Sequence, residues 1–404
     1  MNYPVIKLRE KKDVPVRAGH PWVFSNAMEY EPSPTPNPGS LVEVKAADGE
    51  SLGVGTYNAQ TSIRIRILDR HASAVIDAAW FSARFKKLDT WKRSHLPEQT
   101  DGYRIVHAES DGIPGLIVDR YADVIVFQIH TAGMERLRDE IMAALDETFA
   151  PRAIVERSDL EVRTREGLLS LEPIIRKGAI DGMVQFKEDG LTFLADVMHG
   201  QKTGFFLDQR DTRRRVRALA KDKRVLNLFS YSSAFGVHAL AGGASFVASV
   251  DISNPALQLA EKQFEANGVN IHDERKVAFL EGDAVDMVRD TELPNGPYDL
   301  IVCDPPAFAK TETQIERAIQ AYSDLNKHCF QHLGVGGILV TSSCSGRLEM
   351  EEFRRIVRIA AGRAKREVRI LETLGHSSDH AELISYPEGR YLKTMILEVT
   401  GILA

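Results

Sequence analysis

The chain opens in short alternating runs. VIKLRE, SLVEVKA, LGVGTYN and TSIRIRIL are broken by Gly, Pro, Asp and Asn, which predicts a small β-rich unit over residues 1–72. The alternation puts Ile63, Ile65 and Ile67 toward a core and Arg64 and Arg66 toward water. EPSPTPNPG at 31–39 is too proline-rich for helix or central strand and reads as an exposed loop. In HPWVF at 20–24, Trp22 is expected as a core anchor beside a turn. The period then changes. Residues 74–94 and 134–149 carry helical spacing, and two strand-like runs flank a DGIPG turn between 103 and 130, so a central α/β domain is expected over 73–185.

From residue 186 to 404, strand and helix patterns alternate. Two strands joined by KEDG lead into a basic helix. Strands follow at 224–229, 246–250 and 277–280, with a helix at 254–267 that has Pro255 in its first turn and Gly268 past its end. Further strands are expected at 369–374 and 392–399. Such alternation predicts a doubly wound, mostly parallel sheet. In such sheets ligands sit outside the carboxyl ends of the strands. YDLIVCDPPAF at 298–308 puts Asp304 at one strand end, with Pro305 and Pro306 closing the turn. GILVTSSCSG at 337–346 puts Cys344 at another. If those strands are neighbours, a carboxylate and a thiol face one pocket.

Length and charge narrow this picture. A chain of 404 residues is expected to split into two or three domains. No run is apolar enough to span a bilayer, and the charged start MNYPVIKLREKK lacks a secretory apolar stretch, so a cytoplasmic protein without a membrane partner is expected. Three cysteines, Cys303, Cys329 and Cys344, without paired spacing argue for reduced thiols and against a structural metal site. The net charge of −6 does not advertise a nucleic-acid binder, although RDTRRRVRALAKDKR at 210–224 and IRIRILDR at 63–70 are locally basic. Taken singly, both runs read as solvated faces.

The first βα turn, NLFSYSSAFG at 227–236, has neither G-x-G-x-x-G nor a Walker lysine, which disfavours dinucleotides and nucleoside triphosphates. A cofactor without phosphates, such as S-adenosylmethionine, fits better. Phe229, Ser230 and Tyr231 would line it from this turn. Asp251, with Ile252 after it, is placed to accept from ribose hydroxyls. Asp283, with Ala284, is placed to accept from an adenine amine. The competing reading of each acid is a helix cap or turn residue.

The ordered set HPWVF, DGIPGLIVDRY, KTGFFLDQR, NLFSY, DPPAF, SCSG and PEGRYLK resembles the class I 23S rRNA 5-methylcytosine methyltransferases over nearly the whole chain. The resemblance implies an N-terminal PUA RNA-binding domain, a small central α/β domain and a Rossmann-like methyltransferase domain with an antiparallel last strand. It implies S-adenosylmethionine as cofactor and 23S rRNA or a large-subunit precursor as partner. Cys344 would be the nucleophile on cytosine C6, and Asp304 would hold the base edge and touch the cofactor site. Gln209 would contact the cofactor. Pro305, Pro306, Phe308 and Lys202 would contact substrate. Two departures stand out: no second cysteine follows the Asp-Pro turn, and DHAEL at 379–383 lacks the proline expected after His380. Oligomeric state stays open, a homodimer included. The alternatives are an rRNA methyltransferase acting on guanine N7, which needs no thiol, or on an exocyclic amine, which Ala307 after the proline pair disfavours, and a non-catalytic RNA-binding assembly protein.

Overall fold

The computed structural model describes residues 3–290, 293–309 and 312–404. The chain divides into two compact units. One comprises Met1–Lys187, Ala195–Leu207 and Ser378–Gly389, and the other Glu188–Leu194, Asp208–Ser377 and Arg390–Ala404.

The first unit holds two five-stranded sheets. Strands Val5–Lys7, Ser40–Lys45, Ser51–Tyr57, Ile63–Asp69 and Trp22–Phe24 lie side by side in that order. Only the first pair is parallel. Val42, Val44, Ile65 and Ile67 fill the core as the alternation requires. Arg66 departs from expectation. It is buried, and its guanidinium lies 2.7 Å from Glu166, because this face of the strand is covered by chain that a period-two pattern cannot foresee. Trp22 is half-buried rather than part of the core expected for it; its indole N–H donates to Glu109 at 3.0 Å and its ring lies 4.9 Å from Tyr386.

The second sheet runs Gly102–His107, Leu116–Tyr121, Val124–Ile129, Ala153–Glu156 and Ile174–Lys177, with helix Ala78–Ser94 packed beside Arg138–Phe149. Three strands occupy 102–129 where two were expected. The apolar run after DGIPG folds back at Ala122, whose φ is +52°. The helix expected over 134–149 is broken at Leu137 into Ala132–Arg136 and Arg138–Phe149.

The second unit is built on seven strands: β1 (Arg224–Leu228), β2 (Phe246–Asp251), β3 (Val277–Glu281), β4 (Leu300–Cys303), β5 (Ile338–Ser343), β6 (Arg366–Leu374) and β7 (Lys393–Ile402). Their order is β3-β2-β1-β4-β5-β7-β6. β1 to β5 are parallel, and β7 runs antiparallel to both neighbours. β4 and β5 are buried along their whole length, as continuous apolar runs in a parallel sheet must be. The order reverses between β1 and β4, which leaves a crevice at their carboxyl ends. The longer helices described in this unit are α1 (Arg210–Leu219), α2 (Ala234–Ala241), α3 (Asn254–Glu265), α4 (Ile315–Gln331) and α5 (Met350–Arg363). Ser253 caps α3 through the Ala256 N–H, with Pro255 in its first turn.

The basic helix α1 corrects the solvated-face expectation. Arg210 and Arg213 are fully buried, and Arg213 makes a two-pronged ion pair with buried Glu188 at 2.6 and 2.7 Å. His238 reaches the same carboxylate at 3.2 Å. Burial pushes the Glu188 carboxyl up, but Arg213, His238 and Arg210 overcome it and hold it well below the usual range. Glu188→Gln would leave buried guanidinium groups without counter-charge, so a loss of about 3–5 kcal/mol is expected by chemical denaturation. The sign with pH follows. This carboxylate's stabilisation is complete above the unfolded value near ~4.3 and drains as pH falls below it. Burial keeps His238 neutral in the fold, so it adds to the acid loss from about pH 6.5 downward. The glutamine variant should show a shallower loss below about pH 4.

Candidate active site

The first βα turn leaves β1 through three non-glycine residues in left-handed backbone: Phe229 (φ +54°), Tyr231 (+46°) and Ser233 (+52°). Each costs of order 1 kcal/mol, so the surroundings must impose the shape. They do so with hydrogen bonds. The Ser230 N–H donates to Val250 O at 2.9 Å and the Tyr231 N–H to Asp251 Oδ2 at 2.7 Å. Ser233 Oγ lies 3.1 Å from Asn227 Nδ2 and 2.6 Å from Ser249 Oγ. A left-handed turn without glycine carries no sequence signal.

Asp251 therefore works on the turn before any ligand arrives, since its other oxygen accepts from the Ser253 N–H at 2.9 Å. Next to it Ile252 is 71% exposed, an apolar side chain held at the rim. Ser230 Oγ is buried without a hydrogen-bond partner among the described residues. Asp283 caps the single turn Ala284–Met287 through the Val285 and Asp286 N–H groups, and Ala284 is buried behind it. This set fits a ligand with hydroxyl donors and a flat ring, and it offers no glycine cradle for phosphate.

At the end of β4, half-buried Asp304 accepts from Gln209 Nε2 at 3.0 Å through Oδ2. Gln209 is buried, and its Oε1 has no hydrogen-bond partner among the described residues. Pro305 is buried and Pro306 exposed. The loops after β4 and β5 are stitched together. The Cys344 thiol lies 3.9 Å from Pro305 O, and the Ala309 N–H donates to Ser345 Oγ at 3.4 Å. The Tyr322 hydroxyl, from α4, meets Ser343 Oγ at 3.0 Å and Ser345 Oγ at 3.1 Å. Cys344 is partly exposed, whereas Cys303 and Cys329 are sealed in the core against one another, where their hydrogen bond and burial push the Cys303 thiol well up. Phe308 packs its ring 4.7 Å from Tyr322.

Lys202 belongs to the first unit, where its ammonium lies 4.3 Å from the centre of the Phe206 ring. His380 is in the same unit, buried 3.1 Å from Asp379 and packed on His107. Tyr322 and Lys393, both at the cysteine loop, were not singled out from the sequence. They lie 22 residues before and 49 after Cys344 in numbering (344 − 322 and 393 − 344), so only the fold joins them.

Among the described residues, no helix is long and apolar enough to cross a membrane. A family model described as S-adenosylmethionine-dependent methyltransferase matches residues 176–348, and one described as PUA-like domain matches residues 6–70. The chain is 38% identical to Ribosomal RNA large subunit methyltransferase I of Shewanella denitrificans, over 98% of this chain and 99% of the relative. It is 39% identical to the protein of that name from Aeromonas salmonicida, over 97% and 98%. Among solved structures, a candidate methyltransferase from Streptococcus mutans aligns with TM-score 0.81 at 22% identity, covering 98% of this chain and all of the other. A candidate methyltransferase complexed with SAH aligns at 0.82 and 22%, covering 99% and 100%. The seven-stranded sheet is thus a Rossmann-like methyltransferase fold, the first sheet is PUA-like, and the cofactor is S-adenosylmethionine.

Proposed function

This chain belongs to the Ribosomal RNA large subunit methyltransferase I family, and on that premise we propose that it methylates C5 of a cytosine in large-subunit rRNA through a covalent Cys344 adduct. The observation that carries this reading is the tether between the cysteine loop and the Asp-Pro-Pro turn, with the thiol 3.9 Å from Pro305 O. S-adenosylmethionine supplies an electrophilic methyl group. Cytosine C5 is too weak a nucleophile to accept it unaided. The Cys344 thiolate adds to C6, and the C5–C6 electron pair becomes available at C5. Once C5 carries the methyl group, a base removes its proton. The C5–C6 double bond then re-forms as the C6–S bond breaks, which returns the thiolate.

Asp304, oriented by Gln209, faces the N3/N4 edge of the base and offsets charge that develops on addition. Phe229, Ser230, Tyr231, Asp251, Ile252, Asp283 and Ala284 hold the cofactor, with Asp251 on the ribose. Pro305 and Pro306 fix the turn, and Phe308 supports it through Tyr322. The PUA-like domain supplies RNA contacts. A target base within folded RNA must leave its stack at a cost of a few kcal/mol, which favours an unpaired nucleotide.

The test uses rRNA from cells that lack the protein. Incubated with methyl-labelled cofactor, large-subunit RNA should gain one label that nucleoside mass spectrometry assigns to 5-methylcytidine. Label on guanine N7 or on an exocyclic amine would overturn the cytosine assignment. Absence of both transfer and cofactor binding would overturn catalysis altogether.

A further inference from the structure

Lys393 opens β7 beside the cysteine loop. Its Cα pairs in register with Ser343, the residue before Cys344. The side chain is 2% exposed, and its ammonium donates to Ser345 O at 2.8 Å and Tyr391 O at 2.9 Å. Both acceptors are neutral carbonyls. Among the described residues no carboxylate lies within 4 Å of this ammonium. A buried cation with only neutral partners is costly, and such groups ordinarily lose their charge or find an anion. Here burial pulls the lysine down to about 8, Arg390 opposes its charge, and Glu349 and Cys344 favour it. Glu349 is exposed at the start of α5, whereas Cys344 stands on the loop that the ammonium already grips. Tyr322 touches the same loop through Ser343 and Ser345, and burial pushes its phenol up, so it stays protonated.

We propose that Lys393 is the positioning residue and counter-ion of the Cys344 thiolate: it fixes the loop through the Ser345 carbonyl and holds the sulfur ionised near neutral pH. This rests on the covalent reading above and gives it the activation that a free thiol lacks. An ordinary cysteine with a pKa of about 8.5 is only a few per cent thiolate at pH 7. A lysine that served only as a staple would stabilise the loop and leave the ionisation of the sulfur alone.

Alkylation by iodoacetamide measures that ionisation without cofactor or RNA. The full-length protein is treated between about pH 5.5 and 9.5 and the Cys344 peptide quantified by mass spectrometry. The wild-type midpoint should fall at least about one unit below 8.5. Lys393→Met should slow alkylation at pH 7 about tenfold and move the midpoint up, with the pH profile of methyl transfer following it. Lys393→Arg, which keeps the charge, should restore the low midpoint. A wild-type midpoint at or above 8.5, or an unchanged midpoint in Lys393→Met, overturns the proposal. The first of these needs no variant to fold. If Cys344→Ala methylates RNA normally while the midpoint behaves as expected, the covalent reading fails and the ion pair stands.

Discussion

Replacing Cys344 with alanine is expected to lower methyl transfer at least about 10⁴-fold while leaving the thermal midpoint and cofactor affinity unchanged. The size of the loss comes from the substrate. No positioning or electrostatic aid makes cytosine C5 a competent nucleophile without addition at C6, and no second thiol can substitute. Cys303 and Cys329 are fully buried in the sheet and its covering helix. Cys344→Ser should leave only traces, because a hydroxyl is far less ionised than a thiol. Single-turnover transfer of labelled methyl measures both. An RNA carrying 5-fluorocytosine gives an independent reading, since fluorine at C5 cannot leave as a proton does. The wild type should accumulate a stable protein–RNA adduct, and the alanine variant none. Normal transfer by the alanine variant would point to guanine N7, which needs no covalent help.

Asp304→Ala should lower kcat about 10³-fold with a small change in cofactor affinity, and Asp304→Asn about 10²-fold. The carboxylate is the one acid placed by the Asp-Pro-Pro turn, and Gln209 already fixes one of its oxygens. Asparagine keeps the shape but loses the charge that meets a base gaining electron density. Alanine also strands the Gln209 amide, whose carbonyl oxygen has no hydrogen-bond partner among the described residues. Steady-state kinetics with calorimetric cofactor titration separates the roles. A large rise in cofactor Kd with kcat intact would assign Asp304 to the cofactor alone.

Much of this site could be read from local chemistry. LIVC before Asp304 and the apolar start of ILVTSS before Cys344 suit buried parallel strands, and both strands are present as parallel register neighbours. The antiparallel last strand is also present, as β7. What stayed hidden depended on distance or on compensation. Arg66, Arg210 and Arg213 look like surface charges until Glu166 and Glu188 arrive from remote parts of the chain. The turn at 229–233 takes backbone shapes that side-chain type opposes, because Asp251, Asn227 and Ser249 impose them. Tyr322, on α4, and Lys393, the last residue of PEGRYLK, are distant from Cys344 in sequence and are gathered only by the fold.

The two returns of the chain to its N-terminal unit limit how this protein can be taken apart. Residues 378–389 leave the methyltransferase sheet between β6 and β7, and in the first unit Asp379 receives the Lys92 ammonium on its carbonyl and the Arg104 N–H on its carboxylate. A clone begun near residue 188 would carry that stretch with its buried Asp379 and His380 stripped of their hosts. A clone ended there would lose residues that the N-terminal unit needs. Swapping catalytic modules between relatives therefore calls for exchanging 195–207 and 378–389 together with the N-terminal unit, so that three segments travel as a set.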